Sequence, residues 1–470
     1  MKSKLMLIAI LLIALITRLV ILDARPIDHD EGIHAYLSYI LLRDGSYRYD
    51  PTYHGPFLYF ATAGLFYLLG DSEFVARLTP VIFSIIAVFV AYKFKRWMGN
   101  GAYIFTFLIL FSTSILYYSR YMRNDLILLD SFLVVVYCYF RFIESEKERF
   151  TYISALFLAI MFTSKENAYI YTFIFVSFLI LYGLWKEGFR YMISKVTNWN
   201  AKKVRILLTS VIIFATIFIT LYSAFFADID GVERAIVGSI SHWVKMHEIN
   251  DHAKPWYYYP KLLIEYEFLP LGLSLASIPF FYQRLKSKNV SKLEIFAAYW
   301  VTTTLIIYQV LSHKVPWLLV HIATPLAFFG SIYIGGKLHK NHFKLAFGVV
   351  TIATLITSCY ITYFNYNDAR EDLIYIQIQP PTVELAEVIK ERLKTQRGVI
   401  FEPNNDYWPL PWYLRHVQIG YLTKGDLSHY DFVVTSEKGI DYCKGFGFKV
   451  VKKYELRPWV YLVLMEKIGK

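Results

Sequence analysis

Between Asp28 and Tyr36 the chain reads DHDEGIHAY, three carboxylates and two histidines within nine residues. A carboxylate held within hydrogen-bond reach of a hydroxyl can take its proton as the oxygen attacks, and carboxylates with imidazoles also bind divalent metals. Asp30, Glu31 and Asp28 are therefore candidates for a general base. His29, Asp30 and His54 are candidates for metal ligands, with His34 and His313 as further imidazoles. The same acids also suit a helix start, with Asp28 and Asp30 able to cap the amphipathic stretch Glu31 to Arg43. More charges and imidazoles recur at the ends of apolar runs, in YRYDPTYHGP (47–56), SRYMRND (119–125), SKEN (164–167) and SHKVPW (312–317). The cations Arg123, Lys165, Lys314 and Arg120 could neutralise a phosphate whose charge grows as a bond to it breaks. His54, Asp125, Glu166, His313, Glu265 and Glu267 are candidates for substrate contacts. Plainer roles stand beside these: Arg120, Arg123 and Asp125 can pair with one another or snorkel, and Glu265 and Glu267 can pair with Lys261. His242, His247 and His252 recur every five residues, which is neither helical spacing nor a zinc signature.

These residues must be positioned by a membrane bundle. The chain has 470 residues, 56% hydrophobic and only 18% charged, with a positive mean hydropathy. That composition excludes a soluble globular protein. The net charge of +12 lies in short Lys and Arg blocks between apolar runs, where orientation signals belong, and this argues against nucleic acid as a partner. Cys138 and Cys359 fall inside apolar runs and Cys443 stands alone, so no disulfide framework is expected.

Apolar runs suited to a core of about 30 Å predict eleven spans, near 5–22, 74–94, 101–118, 126–142, 149–163, 168–185, 206–226, 262–282, 294–311, 317–335 and 345–363. The first is read as a retained anchor, because no small-x-small cleavage site follows it. Phe57 to Leu69 covers only about 20 Å at 1.5 Å per residue and is expected to be interfacial or re-entrant. With the N-terminus cytoplasmic, every basic block lies inside. The polar stretches above then all emerge on the outer face, as do residues 228–261 and the tail from Phe364. Acids, bases and histidines gathered at one face suggest an active site that faces outward.

In order along the chain, DHDEGIHAYLSYILLRDGSYRYDPTYHGP, YYSRYMRNDLILL, FTSKENAY, SHKVPWLLVHIATP and WPLPWYLR resemble an archaeal family of multispan membrane glycosyltransferases. The wider group is the GT-C superfamily, which includes protein O-mannosyltransferases and the lipid A aminoarabinose transferase. The resemblance implies a polyprenyl or dolichyl phosphate sugar as donor, a glycan or protein acceptor, and transfer at the outer face of the cell membrane with inversion at the anomeric carbon. It places the superfamily's Asp-Glu pair on Asp30 and Glu31, with Asp28 as a second candidate for the base. A divalent metal is optional in that group. Some members are associated with flippase activity in protein N-glycosylation, so a flippase or transporter of lipid-linked sugars and a non-catalytic subunit of a glycosylation complex stand as alternatives. Paired repeats with broken helices, expected of a transporter, are not evident.

The expected fold is thus an all-α polytopic bundle over residues 1–363, with a large first outer loop at 23–73, and a small extracytoplasmic α/β domain over 364–470. In the tail, Thr382 to Lys394 reads as helix, Gly398 to Phe401, Phe432 to Thr435 and Val460 to Met465 read as strands, and Asp406 to Arg415 reads as a tryptophan-rich turn. WPLPWYLR could close over the catalytic face or bind acceptor, or simply fill the core of this domain.

Overall fold

A computed structural model describes residues 2–190, 200–248, 252–336, 341–375 and 377–468. The basic stretches within 191–199 and 337–340 lie outside the described residues. Each of the eleven apolar runs contains helix. Seven helices among the described residues are long and apolar enough to cross a membrane, and an eighth counts if the bent pair Tyr258–Tyr266 and Phe268–Lys286 is one span. Gly101–Phe111 and Arg149–Ser164 are shorter, and the first helix, α1 (Lys2–Leu19), carries Lys2, Lys4 and Arg18. The expected count of eleven therefore exceeds what length and composition support helix by helix.

The bundle is organised around the segment Pro316–Ile334, whose apolar window is 94% buried, and Asn124–Ser145 beside it. By contrast, Ala201–Tyr222 is almost wholly peripheral, as a lipid-facing helix would be. The 102° bend near Glu267 has a local cause. Glu267 is fully buried, and its carboxylate accepts hydrogen bonds from the Ser112 hydroxyl and from the Ser114 N–H at 2.6 Å. It thereby caps the short helix Thr113–Tyr118 and takes its own backbone out of the helical region. A buried carboxylate without those donors would be costly.

Helix α2 (His29–Asp44) lies at one end of the bundle, followed by α3 (Phe57–Leu69). A capping box starts α2: the Asp28 side chain accepts the Glu31 N–H, and the Glu31 side chain accepts the Asp28 N–H. Gly45, at a φ of 66°, ends it in a left-handed turn. That conformation favours glycine. At thirteen residues, α3 is too short to span.

The tail holds a five-stranded sheet in the order β2-β1-β3-β5-β4. These are β1 (Gly398–Phe401), β2 (Gly420–Leu422), β3 (Phe432–Ser436), β4 (Phe448–Arg457) and β5 (Val460–Lys467). β1 runs parallel to β2 and β3, while β5 is antiparallel to β3 and β4, with Val399 opposite Val433 and Val433 opposite Met465. The helix Pro380–Arg392 packs on β4. Two strands escape the sequence reading. β2 is only three residues long, and β4 is a mostly exposed edge whose FKVVKKYELR lacks clean alternation and carries two register shifts. Charged edge strands of this kind discourage pairing with other chains.

The turn at residues 406–415 joins this tail to α2 and α3. Fully buried Trp412 stacks on Phe66 at 5.7 Å, the Ile27 N–H donates to the Tyr413 hydroxyl at 3.0 Å, and Arg415 pairs with Asp71 at 2.7 Å. Gly32 is required at this contact, because a Cβ there would collide with the Pro409 ring.

Candidate active site

The five polar stretches converge at the α2 end of the bundle, and their side chains form one connected network. Asp30 occupies the first turn of α2, where the helix dipole favours negative charge. Its Oδ2 accepts from Arg123 Nη1 at 2.6 Å, and the side chain is 35% exposed. Oδ1 accepts no hydrogen bond among the described residues. Burial pushes this carboxyl up, but the Arg123 guanidinium outweighs it and holds it down at about 2. Asp30 is therefore ionised, partly open, and oriented through one oxygen.

Its neighbours are enclosed. Glu31 is fully buried, and its two oxygens accept from Arg77 at 2.8 and 2.9 Å, from Arg25 at 3.0 Å, from the Met122 N–H at 2.8 Å and from the Asp28 N–H at 3.3 Å. Burial raises its pKa, and the two arginines then bring it down to about 2. Its oxygens are thus filled by protein donors, in contrast to those of Asp30. Asp28 is buried as well, accepting the Glu31 N–H at 2.6 Å as the helix cap. Burial and the like charges of Glu31 and Asp30 push its carboxyl well up. His34, one turn beyond Asp30, is hydrogen-bonded to the Tyr59 hydroxyl at 2.7 Å, and burial lowers its pKa to about 3, so its ring is neutral.

Arg123 links Asp30 to the rest. Its guanidinium lies 3.5 Å from the centre of the Trp317 ring, and its Nε is 3.8 Å from Asp125. Such stacking holds an arginine in place while leaving its edge available. Asp125 Oδ1 accepts from Lys165 Nζ at 2.7 Å and stands 3.1 Å from His321 Nε2, whose Nδ1 is 2.8 Å from the Tyr171 hydroxyl. Lys165, Asp125 and His321 are all buried. On the other flank His54, in the left-handed region at a φ of 65°, bonds Glu166 through Nδ1 at 2.8 Å and stacks on Trp243. Gly55 lets this loop seat its N–H on the Ser164 carbonyl at 2.9 Å, where a Cβ would collide with Thr163.

A cavity of about 690 Å³ opens beside this network. Lys165, His54, Glu166, His313, Trp243 and Trp317 form its polar and aromatic part, and Ile170, Ile240, Val244, Met246, Leu311 and Leu318 its apolar part. Its size suits a ligand with a polar head and an apolar chain.

Other candidates fall elsewhere. Arg120 donates to the Thr17, Arg18 and Ile21 carbonyls at 2.8 to 3.1 Å, capping the end of α1 and away from the cavity. Lys314 donates to the Leu311 carbonyl at 2.8 Å and does not line the cavity, another departure from expectation. Glu265 pairs with Lys261 at 3.7 Å on the surface, and Glu267 is the buried cap described above, so neither joins the network. The metal candidates His29, Asp30 and His54 do not converge: among the described residues no group of three or more His, Cys, Asp or Glu is placed to hold a metal ion. Missed by the sequence reading are His321, Trp317, Trp243 and Tyr59. His321 carried a signal, since an ionisable residue inside an apolar segment is functional by default.

The sequence profile of the family described as dolichyl-phosphate-mannose-protein mannosyltransferase matches residues 53–222. No curated protein matches the chain in sequence. Among solved structures, ArnT from Cupriavidus metallidurans bound to undecaprenyl phosphate is similar at a TM-score of 0.69 and 14% identity, covering 98% of both chains. The same protein in its apo state is similar at 0.67 and 14% identity, over 99% of this chain and 98% of that one. The Archaeoglobus fulgidus oligosaccharyltransferase, solved as a complex with Zn and sulfate, is similar at 0.55 and 13% identity, over 94% of this chain and 69% of its own. The profile match agrees with the resemblance to protein mannosyltransferases read from the motifs, and the solved structures share the fold of this chain.

Proposed function

We propose that this chain, a multispan membrane protein of GT-C fold, transfers a sugar from a polyprenyl phosphate carrier to an acceptor hydroxyl, with inversion and with Asp30 as base. The observation that carries the reading is the pairing of a half-open, ionised Asp30 with Arg123 beside an amphipathic cavity that Lys165 lines. The Asp30 oxygen not engaged by Arg123 takes the acceptor proton as the acceptor oxygen bonds to the anomeric carbon. The bond from that carbon to the phosphate oxygen breaks on the opposite side. Lys165, buried beside Asp125, and the edge of Arg123 neutralise the charge left on the lipid phosphate. The proton leaves Asp30 for solvent. The carrier's first isoprene units lie against Ile170, Ile240, Val244 and Met246. Eleven membrane crossings, a cytoplasmic N-terminus and an outward-facing site, with residues 364–470 as an extracytoplasmic domain, complete the reading, and the one-sided gathering of the polar stretches supports it.

The test uses purified protein in liposomes with a radiolabelled polyprenyl phosphate sugar and candidate acceptors, scoring release of free polyprenyl phosphate. Lys165→Met is expected to lower kcat and kcat/KM together while donor Kd changes less, because its charge matters most as the phosphate departs. A flippase would instead carry the lipid across with its sugar attached. Lys165-dependent leaflet exchange with the sugar–lipid bond intact would overturn the transferase reading.

A pH profile adds a second check. Because the Asp30 carboxyl is held at about 2, it is already deprotonated throughout the working range and loses its charge only in strong acid. The expected kcat/KM profile therefore shows no acid limb from Asp30 between about pH 5 and about pH 8. A limb that persists in that window and disappears in an Asp28→Asn variant would move the base to Asp28.

A further inference from the structure

Away from the network, a second cleft of about 760 Å³ lies between the C-terminal half of α2, the end of the helix Pro380–Arg392 and the segment Pro411–Tyr421. Its charged lining is Arg43, Lys390, Lys394, Arg397 and Arg415, and no Asp or Glu among the described residues lines it. The acids that pair with these cations, Asp44, Glu387, Glu391, Asp431 and Asp71, all lie off the lining. Ion pairs at a surface are worth little, so an incoming anion can take over Arg43, Lys390, Lys394 and Arg397, while Arg415 stays tied to Asp71. Tyr36, Tyr421 and Tyr430 add aromatic surface to the same cleft.

An aromatic wall joins the cleft to the catalytic helix. Tyr36 meets Trp408 at 5.8 Å, Trp408 lies 6.2 Å from Tyr407, and Tyr407 lies 4.9 Å from Tyr421. Tyr36 follows Asp30 by six residues on α2, roughly 9 Å along its axis. Rings of this kind offer flat apolar faces with polar edges, suited to the faces and hydroxyls of sugars.

We infer that this cleft binds an acidic oligosaccharide, carrying carboxylate, sulfate or phosphate groups, on the acceptor side of the site. Naming it the acceptor side rests on the transferase reading, whereas the binding itself does not. The cations engage the acidic groups while the tyrosines pack against the rings.

The experiment is calorimetric titration of the full chain in phosphatidylcholine nanodiscs with tetragalacturonate or with neutral maltotetraose, no donor being present. Tetragalacturonate is expected to bind about tenfold or more tighter at low salt, with the preference shrinking as salt screens the exposed charges. Lys394→Glu combined with Arg397→Glu is expected to erase the preference without lowering the unfolding temperature. Equal binding of both tetramers, binding of neither, or an unaffected double variant would overturn the proposal. So would a double variant that loses attachment to phosphatidylglycerol vesicles while the wild type binds neither sugar, which would assign the cleft to lipid headgroups. Tetramer binding by a chain that releases no polyprenyl phosphate in the liposome assay would count against the transferase reading alone.

Discussion

Asp30→Asn is expected to remove transfer by a factor of about 10² to 10⁴, the usual value of a positioned base. The amide keeps the shape of the side chain and can still accept from Arg123 through its carbonyl oxygen, so folding and donor binding should change little. What it loses is the ability to take a proton. Asp28→Asn is the matched control, since asparagine caps a helix as well as aspartate does and Asp28 is buried as that cap. Turnover of polyprenyl phosphate sugar by both variants, alongside thermal unfolding, separates the cases. Near-full turnover by Asp30→Asn together with loss in Asp28→Asn would shift the assignment by two residues. Activity in both would remove the general-base account.

Glu31→Ala is expected to act on folding, costing about 3 to 5 kcal/mol, because it leaves buried arginines without their counter-charge. Arg77 is itself fully buried, so water cannot compensate it. Unfolding followed in detergent should show a large loss of stability. A second change, Arg77→Met, should recover part of it by removing the stranded charge, a coupling that a double-mutant cycle would measure. A Glu31→Ala protein as stable as the wild type but unable to transfer sugar would return Glu31 to the catalytic group. The contrast between two adjacent acids has a simple origin. Neighbouring residues on a helix point about 100° apart, so α2 turns Glu31 toward Arg25 and Arg77 and Asp30 toward Arg123.

Much of the fold was legible without coordinates. Apolar runs of membrane length located helices, Phe57–Leu69 was too short to span, and the clustering of polar residues at run ends located the polar network, because burial of charge in an apolar medium is costly wherever it occurs. The motif DHDEGIHAY likewise announced a capped helix. Tertiary structure alone decided which charge does which task. Arg120 and Arg123 are three residues apart in one polar turn, yet one caps the end of α1 and the other stacks on Trp317 beside Asp30. Glu267 lay at the expected face, and only the packing of Ser112 and Ser114 against it made it a buried cap. His321 reaches Asp125 across 196 positions of sequence, and His54 reaches Glu166 across 112. Such pairings depend on how helices rotate about their axes when they pack, and hydrophobic length carries no information about that rotation in a bundle buried on many sides.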